Sequence, residues 1–90
     1  MKNILVVDDE PDLIALVSYN LVKEGFVVTT ASTGEEALEK IRTDQFSVII
    51  LDLMLPGIQG TELCRMIRND PRTERIPIIM LTARGEVADR

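Results

Sequence analysis

Apolar residues along this chain fall into short unbroken runs that alternate with longer stretches of helical spacing. Ile4 to Val7 is a continuous apolar run, the pattern of a strand buried on both faces. Asp8-Asp9-Glu10-Pro11 follows it. Acidic residues ahead of a proline suit a helix start, because they accept from free N–H groups and proline has none to lose. Leu13, Leu16, Val17 and Leu21 then form a helical stripe that stops at Gly25, and Ile14 and Val22 widen it. Phe26 to Thr30 is rich in β-branched residues and reads as a second strand. Thr33 sits three before Glu36, a capping box, and Gly34, Ala37, Leu38 and Ile41 make a second helical face. Ser47 to Leu51 is the third strand, with Asp52 directly after it and a turn at Pro56-Gly57. Gly60, Leu63, Cys64 and Ile67 form the third helical face, which Asn69-Asp70-Pro71 ends. Ile76 to Leu81 is the fourth strand, and Thr82-Ala83-Arg84-Gly85 opens a loop.

Strand and helix in strict alternation predict an α/β fold with a parallel sheet, since short buried strands need helical crossovers. Right-handed crossovers place helices on both faces, a doubly wound arrangement. Ligands bind outside the carboxyl ends of such strands. That end gathers Asp8 and Asp9 after strand one, Asp52 after strand three and Thr82 after strand four. If strands one and three are neighbours, three carboxylates share one small volume, and crowded like charges destabilise a fold unless a cation relieves them. The chain has no histidine. The ion is therefore a hard, oxygen-seeking one, and Mg²⁺ fits best, because it takes one or two carboxylates, keeps waters and recruits phosphate oxygens. Plainer readings stand beside this one. Asp8 and Asp9 also read as helix caps, Asp52 as an Asx-turn residue and Thr82 as a β-branched strand end. Cys64 reads as a core residue, and Glu35, Glu36 and Glu39 as a solvated helix face. The case for chemistry is the coincidence of all four positions at one sheet end.

Composition narrows the picture. With 90 residues the chain makes one domain, and 3 % aromatics require an aliphatic core. A net charge of −5 argues against direct binding to nucleic acid or to anionic membranes. One cysteine excludes an internal disulfide. No apolar run is long enough to span a bilayer, and the apolar stretch at the amino terminus is too short for a signal peptide, so a cytoplasmic protein is expected.

Val6-Val7-Asp8-Asp9-Glu10, Asp52-Leu53-Met54-Leu55-Pro56-Gly57 and Pro77-Ile78-Ile79-Met80-Leu81-Thr82-Ala83 resemble the three signature segments of response-regulator receiver domains, in order and on the expected elements. The Met-Leu-Pro-Gly turn and Leu-Thr-Ala-Arg-Gly look most like the subfamily that regulates transcription through a carboxy-terminal winged helix. The resemblance implies a flavodoxin-like sheet of order 2-1-3-4. It implies Asp52 as the nucleophile that takes a phosphoryl group from the phosphohistidine of a histidine kinase. Asp9 would bind Mg²⁺ directly and Asp8 through water, with Asp52 and the backbone carbonyl of Met54 completing the protein ligands. Thr82 would hydrogen-bond the phosphoryl group and act as the switch. Such a domain is not an enzyme on a separate substrate, though a complete one can speed its own phosphotransfer and hydrolysis.

The family pattern also calls for a fourth helix, a fifth strand ending in lysine and a fifth helix. Residues 1–90 are therefore expected to be an incomplete receiver domain. Lys2, Lys23 and Lys40 all belong to the amino-terminal end of the sheet. Strand four is expected to be an open edge, with Ile14 and Val22 left uncovered, and a homodimer or swapped assembly is expected to form through that edge or through the face beside helix one. Two other functions stay open: a structural fragment that associates without chemistry of its own, and a metal-dependent phosphatase. An aspartate-nucleophile phosphatase usually carries a second acid two residues after the nucleophile, and here that position is Met54.

Overall fold

The structure, a computed structural model, describes residues 2–55, 57–81 and 87–89. Its parallel strands are β1 (Asn3–Val7), β2 (Val27–Ala31), β3 (Val48–Asp52) and β4 (Ile78–Leu81). They alternate with α1 (Pro11–Lys23), α2 (Gly34–Thr43) and α3 (Gly60–Arg68). The parallel strands lie side by side in the order β2-β1-β3-β4, as the resemblance implies.

Each crossover helix begins and ends for a local reason. Pro11 is the first residue of α1, where its missing N–H leaves no bond unmade. At the other end Gly25 takes a left-handed φ of 95°. The Gly25 N–H then donates to the Val22 carbonyl at 3.0 Å and the Phe26 N–H to the Leu21 carbonyl at 3.1 Å, a Schellman stop. For α2 the Thr33 hydroxyl accepts from the Glu36 N–H at 3.0 Å. The Glu36 carboxylate reaches back one residue further than an ordinary capping box, accepting from the Ser32 N–H at 2.8 Å and the Ser32 hydroxyl at 3.1 Å. Glu36 is thus a fixed helix cap, not part of a purely solvated face.

Side chains alternate along each strand, and the two sheet faces differ in how they are filled. Leu5, Val7, Ile49, Leu51, Ile78 and Met80 point to one face and close a core with Ala37 and Ile41 of α2 and Leu63, Cys64 and Ile67 of α3. Ile4 and Val6 point to the other face, where α1 lies against β1 and β2 and buries none of its own residues completely. Val48, Ile50, Ile79 and Leu81 share that face and are only half-buried.

Three expectations need correction. β4 is not an open edge, because β5 (Val87–Asp89) pairs with it antiparallel, Leu81 opposite Val87. Unpaired N–H and C=O groups on an edge are costly, and the chain's own continuation supplies their partners. Leu16, placed by spacing on the buried stripe of α1, is 59 % exposed, because the helix rests on two strands and turns only part of its apolar circumference inward. Third, Asp52 is the last residue of β3, not the first beyond it, and its carbonyl stays against the α3 start.

The α2 cap yields a stability prediction. Thr33→Ala should lower unfolding free energy by about 0.5–2 kcal/mol in a denaturant titration. The bonds from the Ser32 N–H and hydroxyl hold Glu36 below the ordinary glutamate value of 4.5. A depressed carboxyl contributes stability that is present above its unfolded value and lost as pH falls through its folded one. Glu36→Gln should therefore cost stability at neutral pH and flatten the loss of stability below about pH 4.5; parallel pH curves for the two proteins would refute this.

Candidate functional site

Parallel strands all end on the same side, and β1 and β3 are direct neighbours with Val7 opposite Leu51. The next residues, Asp8 and Asp52, are therefore brought side by side. Asp8 continues the sheet, its N–H donating to the Ala31 carbonyl at 3.0 Å. Counting along the strands, Asp8 shares the parity of Ile4 and Val6, and Asp52 that of Val48 and Ile50. Both acids therefore leave the sheet toward its α1 side.

One local device fixes both carboxylates. Asp8 Oδ1 accepts from the Glu10 N–H at 2.9 Å, and Asp52 Oδ1 accepts from the Met54 N–H at 3.0 Å. Each is an Asx-type bond to the residue two ahead, and each leaves the second oxygen uncommitted to that bond. The Asx reading of Asp52 and its place in an acid cluster are thus the same structure. The capping reading of Asp8 and Asp9 does not hold: the N-cap of α1 is Glu10, with no side-chain cap bond.

Asp8, Asp9 and Asp52 can each turn one carboxylate oxygen into a common space, with all three atoms within 4.8 Å of one another. Among the described residues they form the one group of this kind. Asp8 and Asp52 are buried and Asp9 is exposed, so the group opens to solvent on one side. Asp8 Oδ2 is buried without any hydrogen-bond partner. Burial pushes the Asp8 carboxyl above the usual aspartate range; the Glu10 N–H opposes the rise, and the charges of Asp52, Asp9 and Glu10 add to it. A buried carboxylate oxygen with nothing to accept from, on a residue clustered with two further carboxylates, fits a hard cation bound through oxygen.

Met54 follows two residues after Asp52 and is exposed; its thioether is a poor ligand for a hard cation, so what it offers there is its backbone. Thr82, expected at the end of β4, lies outside the described residues, as does Pro56. Cys64 is buried in the α3 core, as its spacing indicates. Lys2 and the last turns of α1 and α2, with Lys23 and Lys40, lie at the other end of the sheet. So does a cavity of about 510 Å³, lined by residues that include Ile41, Arg42, Phe46, Arg72 and Ile76, remote from the acids. In sequence Gly60 is one position of a helical face; its close approach to Asp52 has no sequence signal beyond the glycine itself.

The pattern that defines the response regulator receiver domain matches residues 4–90, and the chain belongs to that family. It is 51 % identical over 90 residues to the phosphate regulon transcriptional regulatory protein PhoB of Rhizobium meliloti, covering 100 % of this chain and 40 % of that protein. It is 47 % identical over 89 residues to the alkaline phosphatase synthesis transcriptional regulatory protein PhoP of Bacillus subtilis, covering 99 % of this chain and 36 % of that one. Among solved structures, a receiver from Methanoculleus marisnigri superposes with a TM-score of 0.88 at 37 % identity, over 92 % of this chain and 68 % of that one. The response regulator TrrA of Thermotoga maritima, solved in complex with Mg²⁺-BeF, superposes with a TM-score of 0.85 at 44 % identity, over 92 % of this chain and 70 % of that one. No helix among the described residues is long and apolar enough to cross a membrane.

The crowding has a measurable consequence. In Asp8→Asn the amide can keep the Glu10 bond and turn its NH₂ toward the remaining carboxylates, replacing repulsion by attraction. Without divalent ions this variant should be more stable than the parent by about 0.5–2 kcal/mol. Added Mg²⁺ should then stabilise it far less than it stabilises the parent. An equal Mg²⁺ response in thermal unfolding would show that the ion binds elsewhere.

Proposed function

We propose that this chain is the phosphoacceptor switch of a two-component signalling protein of the cytoplasm, taking a phosphoryl group on Asp52 from a histidine kinase and passing the change to a transcriptional output. The observation that carries the reading is the meeting of three carboxylates at one sheet end, with Asp8 Oδ2 buried and unpartnered among them.

The Asp52 carboxylate attacks the phosphorus of the phosphohistidine. A P–O bond forms as the P–N bond breaks, and the freed imidazole nitrogen keeps the electron pair and takes a proton from water. Asp52 must be ionised to attack. The Met54 N–H donates to Oδ1 and leaves the second oxygen free of that bond. Asp9 as a direct ligand, Asp8 through water, Asp52 and the Met54 carbonyl would hold Mg²⁺, which when bound would supply positive charge against the charge of the transferring phosphoryl group. Thr82, next in the chain after β4, is assigned the hydrogen bond to the phosphoryl oxygen and the relay of its arrival. Two copies of this chain associate through the face beside α1, where Leu16 and Val22 are exposed.

Incubation with a small acyl phosphate and Mg²⁺ should add the mass of one phosphoryl group. Chelation of the metal or the substitution Asp52→Ala should abolish that gain. Undiminished labelling of Asp52→Ala, or labelling that maps to another residue, refutes the assignment. For the association, sedimentation at micromolar concentration should give a dimer, and Leu16→Glu should return it to monomer; a monomer from the outset counts against the pairing.

A further inference from the structure

Gly60, the first residue of α3, lies closer to the functional end of β3 than any side chain would permit. A Cβ placed on it would overlap the Asp52 carbonyl oxygen and stand 2.6 Å from Leu53 Cα and 3.0 Å from the Asp52 carbonyl carbon. All three neighbours are backbone atoms, with no flexible end to swing aside. At Gly25 a Cβ would meet nothing within 4 Å, and at Gly57 it would meet only the end of the Glu35 side chain. Gly60 also has no left-handed φ to explain its identity; that conformation belongs to Gly25 and Gly57. Helix propensity alone favours alanine at such a position. The close approach is the remaining reason for a glycine.

An added methyl group would force one side to move. α3 is anchored in the core by Leu63, Cys64 and Ile67, all buried, so the helix retreats only by opening that core. The exit from β3 is held by fewer ties: the Leu53 N–H donates to the Leu81 carbonyl at 3.0 Å, and the Gly60 N–H to the Leu53 carbonyl at 3.2 Å. Displacing the Asp52–Leu53 peptide moves both the Asp52 Cα and the Met54 N–H that fixes Asp52 Oδ1 at 3.0 Å. The Met54 carbonyl follows.

We infer that Gly60 is a positioning residue, whose bare Cα lets α3 press against the Asp52–Leu53 peptide and so sets where the Asp52 carboxylate and the Met54 carbonyl face a bound cation. The inference rests on the metal-assisted reading of the site. It assigns no contact between Gly60 and the ion or the phosphoryl group.

Mg²⁺ titrations followed by backbone amide ¹⁵N shifts test it. In the parent protein the Met54 and Gly60 amides should move with one dissociation constant. Gly60→Ala, still unfolding cooperatively, should bind Mg²⁺ about 10–100-fold more weakly, the range for groups that orient metal ligands without touching the metal. Cys64→Ala, which weakens the same helix away from Asp52, should keep the parent affinity. Equal affinity in Gly60→Ala overturns the inference, as does an equal loss in Cys64→Ala, which would make the effect one of general stability. If Gly60→Ala does not fold, the parent decides: a Gly60 amide that stays put while Met54 shifts also overturns it. A parent protein with no saturable shift at all overturns the phosphoacceptor reading first, and this inference with it.

Discussion

The parallel pairing of β1 with β3 is the constraint on which the rest depends. With Val7 opposite Leu51, the first polar residue after one strand meets the acid that ends the other. A slip of one residue between them would turn either Leu5 and Val7 or Ile49 and Leu51 out of the core and send the two acids to opposite sides of the sheet. The register is therefore held by the apolar face and exploited by the acids. The packing that makes the chain fold also decides that two carboxylates meet.

That meeting works against stability. Asp8 is buried, one of its oxygens lacks a partner, and its carboxyl is pushed upward by burial and by its acidic neighbours. Folding tolerates the arrangement because each carboxylate keeps one backbone N–H, from Glu10 and from Met54. Those bonds fix one oxygen of each carboxylate and leave the other uncommitted to them. A site poised this way gains most from a cation and loses most when a supporting backbone segment shifts, which is why the β3 exit and the start of α3 matter beyond their burial.

Much of this was legible in the sequence, because it is local. Alternating apolar runs and helical stripes carry the order of elements; Pro11, Gly25 and Thr33 mark helix ends through backbone chemistry that needs no tertiary partner. The acids were legible for a related reason, since charge directly abutting an apolar strand has few structural uses. What was not legible depends on contacts between elements. Leu16 has the spacing of a buried residue, but how much of α1 is covered is decided by the strands beneath it. Val87-Ala88-Asp89 carries too short a pattern to mark a strand by itself; it pairs with β4 across a few residues, and the demand it meets belongs to the β4 edge. Gly60 fits a helical stripe as well as alanine would; only the approach of another backbone distinguishes them.

The two faces of the sheet carry different parts of the fold and of the site. The α2 and α3 face is closed, and it holds the side chains that set the register. On the face toward which Asp8 and Asp52 leave the sheet, α1 lies over β1 and β2, and Ile50, Ile79 and Leu81 are half-buried. A close-packed face resists displacement, because each side chain sits against others on all sides. The acids stand apart from it: the alternation of side chains along β1 and β3 sends Asp8 and Asp52 away from the close-packed core, so the packing that sets the register and the carboxylates that meet at the sheet end lie on opposite faces of one sheet.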